Sequence, residues 1–157
     1  MIPSGDRKLA ETGHPGFIDL CFLSRMPGRI ILGGAVAALP AGVAERARHW
    51  VKRYKAIRHL LVKDYYRLLA QPQSDADWDA GQFCDGSRAG VVFVFRDSGY
   101  IPRQLLYLRS VDAQKKYRFK DEANGAEQVI SGEQLLAGGF CVDLPPNSAR
   151  LYSYRAL

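Results

Sequence analysis

Asp75-Ala76-Asp77-Trp78-Asp79 sets three carboxylates around an indole ring within five residues. Such a group can bind sugar, the ring stacking on a pyranose face while the acids accept hydroxyl protons. The competing reading is an Asp-rich turn leading into a strand, with Trp78 packed between layers. A sugar platform would also need two or three exposed aromatics coplanar on one sheet face, drawn from Trp78, Tyr100, Tyr107, Tyr152 and Tyr154.

The other reactive side chains are scattered. His14 lies in a polar leader, and His49 and His59 stand ten residues apart. On a helix that is about 15 Å along the axis, too far to share a metal ion, so both read as solvated helix positions. Cys21, Cys84 and Cys141 form no C-x-x-C pair, and their odd number leaves one unpaired. They are no disulfide framework, which points to a reducing compartment and a cytoplasmic location. Cys84 and Cys141 sit in apolar strand contexts and read as small core residues. No G-x-S-x-G elbow, Walker loop or dinucleotide fingerprint occurs. The residues alone assign no catalytic, cofactor-binding or metal-ligating position, and no cofactor is expected.

The positive charge is local. The chain carries 22 Lys and Arg against 16 Asp and Glu. Seven of the cations (Arg46, Arg48, Lys52, Arg53, Lys55, Arg58 and Lys63) follow Glu45, the one acid of that segment, and the rest of the chain balances at fifteen of each sign. Within the segment Val43, Ala47, Trp50, Val51, Tyr54, Ile57 and Leu61 recur at spacings of three and four, the apolar stripe of an amphipathic helix. A cationic helix can bind a phosphate backbone or an acidic membrane face. No aromatic residues interleave with the charges on the outer arc, as single-strand binding would favour. The segment therefore reads as a helix that packs by its stripe and keeps long charged side chains in water. Neither nucleic acid nor membrane is an expected partner. The most hydrophobic stretch, 30–44, falls short of the roughly 20 apolar residues of a membrane span, and residues 1–14 lack the apolar centre of a secretory signal.

These side chains need elements to hold them. At 157 residues, 47% apolar and 24% charged, the chain suits a soluble protein of one compact domain, or one domain plus a short appendage. It divides near residue 63. Phe17–Leu23 and Ile30–Leu32 read as strand or irregular segment ahead of the long helix, with Pro40 near its start. Beyond residue 63 the period becomes two. Lys116–Lys120 alternates charge with aromatic, and Ala89–Phe95 is a continuous run expected of a central strand covered on both faces. Further strands are expected at Tyr65–Leu69, Ala80–Cys84, Gln104–Arg109, Phe140–Leu144 and Leu151–Arg155, separated by Asp85-Gly86-Ser87, Asp97-Ser98-Gly99, Asn124-Gly125 and Pro145-Pro146-Asn147 turns. Ser131 three before Gln134 is a capping-box pattern for one helical turn, which Gly138-Gly139 would end. The fold class is mainly β: an antiparallel β-sandwich over 64–157, preceded by one long amphipathic helix and an irregular N-terminal segment within 1–63.

The order of features also resembles a known family. Trp50-Val51-Lys52-Arg53-Tyr54-Lys55-Ala56-Ile57-Arg58 followed by Asp64-Tyr65-Tyr66-Arg67-Leu68-Leu69 is similar to the end of the catalytic barrel in melibiase-type α-galactosidases, glycoside hydrolase family 36 and its relatives. There a final barrel helix with a Tyr-Lys…Arg pattern leads into a C-terminal β-domain; Lys63 stands where the family's glycine is usual. Leu106–Asp112 with Tyr117, and Ser131–Phe140, resemble two further segments of that β-domain.

The resemblance, running from about Phe17 to Leu157, implies the last strand–helix unit of a (β/α)8 barrel plus the whole C-terminal sandwich. The family's two catalytic aspartates lie on earlier barrel strands, and neither of their motifs occurs here. A barrel takes roughly 250 residues, more than this chain holds, so the resemblance carries over no catalytic residue. The implied function is a non-catalytic accessory domain of an α-galactosidase-like enzyme in carbohydrate metabolism, isolated as a fragment or short open reading frame. A free-standing carbohydrate-binding module is the alternative. Residues 17–44 form an apolar segment too long for the spare surface of one sandwich and lacking a partner of its own. The expected partners are therefore the missing barrel or a second copy held through that segment, with carbohydrate as a further candidate.

Overall fold

Val91, Val92, Phe93 and Val94 are all buried, so both faces of their strand are covered. A continuous β-branched and aromatic run has this requirement. A computed structural model of the protein describes residues 15–28, 30, 39–74 and 76–157. Its strands are β1 (Asp64–Arg67), β2 (Trp78–Asp85), β3 (Ala89–Arg96), β4 (Arg103–Leu106), β5 (Lys116–Asp121), β6 (Glu127–Ser131), β7 (Phe140–Asp143) and β8 (Ser148–Ala156). Six of them form an antiparallel sheet in the order β1-β2-β3-β8-β5-β6, while β4 and β7 make a two-stranded ribbon.

Register decides which layer each side chain meets. In β3 against β8, Val92 stands opposite Tyr152 and Phe93 opposite Leu151. Val92, Val94, Tyr117, Phe119 and Tyr154 point to one face, where they pack with Leu106, Phe140 and Val142 of the ribbon. The Phe119 ring stacks between Phe140 at 4.5 Å and Tyr154 at 5.2 Å. Phe83, Val91, Phe93 and Leu151 point to the other face and pack under two helices. The fold is thus mainly β and sandwich-like, a large sheet facing a small ribbon, with a helical layer outside.

The helices are α1 (Pro15–Arg25) and α2 (Ala41–Ile57), with the short α3 (Gly132–Gly138) on the ribbon side. Helix α2 follows its apolar stripe, burying Val43, Ala47, Trp50 and Ile57. Helix α1 corrects the expectation of a strand or irregular segment at Phe17–Leu23. Ile18, Phe22, Leu23 and Met26, spaced i, i+4, i+5, i+8, are all buried, and the apolar Phe17, Leu20 and Cys21 beside them hid that period in the sequence. Packed on β8 and against α2, α1 also shows that residues 17–26 of the supposedly unpartnered segment have a partner within the chain. Residues 31–38 of that segment lie outside the described residues.

Helix α3 forms where the capping box places it. Ser131 Oγ accepts the Gln134 N–H at 3.1 Å, and Gln134 Oε1 accepts the Ser131 N–H at 3.1 Å. Gly139 closes the turn at φ 71°. Gly132 is needed for close approach, because a Cβ there would lie 1.9 Å from the Asp112 carbonyl oxygen. Strand β6 has no counterpart among the expected strands. It is an edge strand whose Glu127, Gln128 and Val129 are all exposed, so no alternation marks it. No helix among the described residues is long and apolar enough to cross a membrane.

Candidate functional site

The acidic cluster is divided by its own strand. The Asp77 carboxylate accepts the N–H groups of Gln73 at 2.8 Å and Ser74 at 3.0 Å, and the Ser74 hydroxyl at 3.2 Å. Those bonds, the Gln73 N–H foremost, hold its pKa below the usual Asp value. The next two residues enter β2 and point to opposite faces. Trp78 is buried on the ribbon side, its Nε1–H donating to the Ile101 carbonyl at 3.1 Å. Asp79 points to the helix side and pairs with Arg67 at 3.4 Å. Asp75 lies outside the described residues. The group is a hydrogen-bonded turn and a strand start.

The five candidate aromatics do not form one exposed platform, since Trp78 and Tyr154 are buried. Tyr100 and Tyr107 are 99% and 56% exposed, whereas Tyr154 is 4% exposed. Tyr154 accepts the Gln82 Nε2–H at 2.6 Å inside the ribbon-side core. Burial pushes its phenol pKa well up, and burial likewise pushes that of Tyr152 to about 12. Of the histidines, His59 is exposed, His14 is outside the described residues, and His49 is not simply solvated. Its Nε2 sits 2.8 Å from the Glu122 carbonyl oxygen. All three cysteines are free, and burial raises the thiol pKa of Cys84 and Cys21. Cys141 corrects the core reading, since it is exposed on the outward face of β7 opposite Leu105. No group of three His, Cys, Asp or Glu side chains among the described residues is placed to hold a metal.

The buried polar residues that carry the architecture were not among the sequence candidates. Asp19 on α1 accepts Arg46 Nε at 2.5 Å, Arg46 Nη2 at 2.7 Å and the Trp50 indole N–H at 2.7 Å. Glu122, at the β5–β6 turn, accepts the Ser153 hydroxyl at 2.5 Å and faces Arg53 of α2 at 3.2 Å. On the ribbon side, Gln82 Oε1 accepts the Arg109 N–H at 2.8 Å and its Nε2 donates to the Arg109 carbonyl at 3.0 Å. Arg96 donates to the carbonyls of Gly99 and Leu144. A carboxylate within an apolar run was the one available signal, at Asp19; Glu122 sits in a polar turn sequence that looks ordinary.

Among the described residues, two concavities open on the helical side. One, of about 400 Å3, has Tyr65, Phe83, Phe93 and Phe95 around it, with Asp79 and Ser24 as its polar members. The Tyr65 and Phe83 rings lie 4.8 Å apart. It can stack an apolar ring face, but among the described residues Asp79 is its single carboxylate. Glycoside hydrolysis by either stereochemical course uses a pair. The other, of about 470 Å3, runs alongside α2 between Leu39 and Lys55, where the edge of its apolar stripe meets its cationic side.

No protein-family model matches the sequence, and no curated protein matches it. Solved structures do match. The chain is similar to the GH36 α-galactosidase AgaA of Geobacillus stearothermophilus, with TM-score 0.71 and 20% identity over 87% of this chain and 19% of that one. It is similar to the α-galactosidase of Lactobacillus brevis at TM-score 0.71 and 14% identity, over 87% of this chain and 20% of that one. An α-amylase from Geobacillus thermoleovorans matches at TM-score 0.60 and 11% identity, over 90% of this chain and 34% of that one. The chain thus has the fold of a part of GH36 α-galactosidases, and it spans about a fifth of their length.

Proposed function

We propose that this chain is a non-catalytic accessory domain of an α-galactosidase-like glycoside hydrolase, working in the cytoplasm in carbohydrate metabolism. Its role is mechanical. The helical layer continues a catalytic barrel made elsewhere, and the sheet and ribbon cover the end of that barrel. The observation that carries this reading is the extent of the match. Residues 64–157 are 94 of the 157, so a match over 87% of the chain takes in helical segments as well as strands.

The test has two arms. The chain alone is expected to hydrolyse aryl α-galactosides at the buffer rate, and turnover lost in Asp79→Asn would overturn the reading. A chimera carrying this chain in place of the matching fifth of AgaA is expected to express soluble and active, where the bare deletion does not.

A second reading, a carbohydrate-binding module, draws on the cleft of Tyr65, Phe83 and Phe95. Calorimetric titration with galactosides decides it: heat that is lost in Tyr65→Ala favours the module, and no heat at millimolar sugar removes it.

A further inference from the structure

The seven clustered cations divide into two sets. Arg46 pairs with Asp19, Arg53 with Glu122, and Lys63 with Asp85 at 3.5 Å. Among the described residues Arg48, Lys52, Lys55 and Arg58 have no ion pair; Glu45, three residues before Arg48, reaches none of them. Three of these, Arg48, Lys52 and Lys55, are spaced i, i+4, i+7 and rim the 470 Å3 groove on α2. Ala44, Ala47 and Val51 floor it, with Leu39 at its head.

We infer that this groove seats an acidic amphipathic helix supplied by another protein. The floor is a row of small apolar side chains parallel to the α2 axis. Such a row lets a second helix approach to the 8–10 Å of ordinary helix packing. The rim is cationic, so the helix that fits carries carboxylates flanking its apolar stripe. Residues 31–38, the neighbouring sequence, include no charged residue. A second copy would present the same unpaired cations and be repelled. A phosphate backbone has nothing apolar to set against the alanine floor, and a bilayer calls for a convex face with large apolar side chains to insert. The inference rests on the accessory-domain reading only for which protein supplies the helix, the remainder of the barrel.

The probe is a labelled helical peptide of roughly five turns, with leucine on its seam and glutamate on both flanks, titrated into the full chain by fluorescence anisotropy. The expected result is saturable binding with a Kd of about 10–100 μM that weakens with added salt. It should fall at least ~10-fold in the Lys52→Glu, Lys55→Glu double variant and in Val51→Asp. Arg103→Glu, on the distant ribbon, should leave it unchanged, and matched melting curves confirm that the variants fold. Three results overturn the inference: no binding at about 1 mM peptide, equal binding of a scrambled peptide of the same composition, or equal competition by a DNA duplex or by phosphatidylglycerol vesicles. If the chimera fails while the peptide binds, only the accessory-domain reading falls. If the chimera works and the peptide does not bind, this inference falls alone.

Discussion

Asp19 and Arg46, 27 residues apart in sequence, form a two-bond carboxylate–guanidinium pair that fastens α1 to α2. The same carboxylate also takes the Trp50 indole N–H, and Arg46 Nη1 donates to the Ala123 carbonyl at 3.2 Å, so the pair reaches the β5–β6 turn. Removing one partner leaves the other without compensation in a half-dry site. Asp19→Ala is expected to cost about 2–3 kcal/mol in urea unfolding, and Asp19→Asn less, because it keeps an acceptor for Trp50. A cost below about 0.5 kcal/mol would mean the pair acts as a solvated surface bridge.

Two glycines in one short helix should behave oppositely. A Cβ on Gly132 meets the Asp112 carbonyl, whereas one on Gly138 meets nothing within 4 Å. Gly132→Ala should cost about 3 kcal/mol or more, and Gly138→Ala should stay within about 0.5 kcal/mol. Thermal melts of the two variants check this, and equal midpoints would contradict it.

The alkaline limit of the fold follows from Tyr152 and Tyr154. Burial raises both phenol pKa values, that of Tyr152 to about 12. A raised folded pKa means that the stabilisation from the neutral phenols is complete below the unfolded value of about 10. It is lost as pH rises from there through the folded values. In an ultraviolet titration, at least two of the eight tyrosines should ionise only together with loss of the near-ultraviolet circular dichroism signal. Smooth titration of all of them near the ordinary value, with the fold intact, would refute the burial.

Asp77 sets a local limit at the acid end. Its carboxylate, held low by the Gln73 and Ser74 N–H groups, supports the turn above the ordinary Asp value and stops doing so as pH falls through the lowered one. Carboxyl NMR should place its midpoint below that of a free Asp. Asp77→Ala should speed amide exchange at Gln73 and Ser74 while the global melt stays in place, since the turn is exposed.

Legibility in the sequence followed the range of the forces involved. Strand β3, the α2 stripe and the α3 capping box are written in neighbouring residues, and each forms where expected. Helix α1 was obscured because a run that is apolar except at Asp19 shows no clear period until one knows which side is covered. Cys141 alternates with the buried Phe140 and Val142, but which of the two sets points inward depends on how the ribbon meets the large sheet. The cationic groove was visible only in part. The surplus charge could be counted, yet the cations left over are determined by Asp19, Glu122 and Asp85, which arrive from three other places in the chain.

The position of β8 has a consequence for biosynthesis. Strand β8 lies between β3 and β5 and beneath α1, so until residues 148–156 have been synthesised the sheet exists as two unjoined halves with bare edges. A chain truncated before Ser148 would be not a shortened protein but a sticky, open-edged chain destined for degradation.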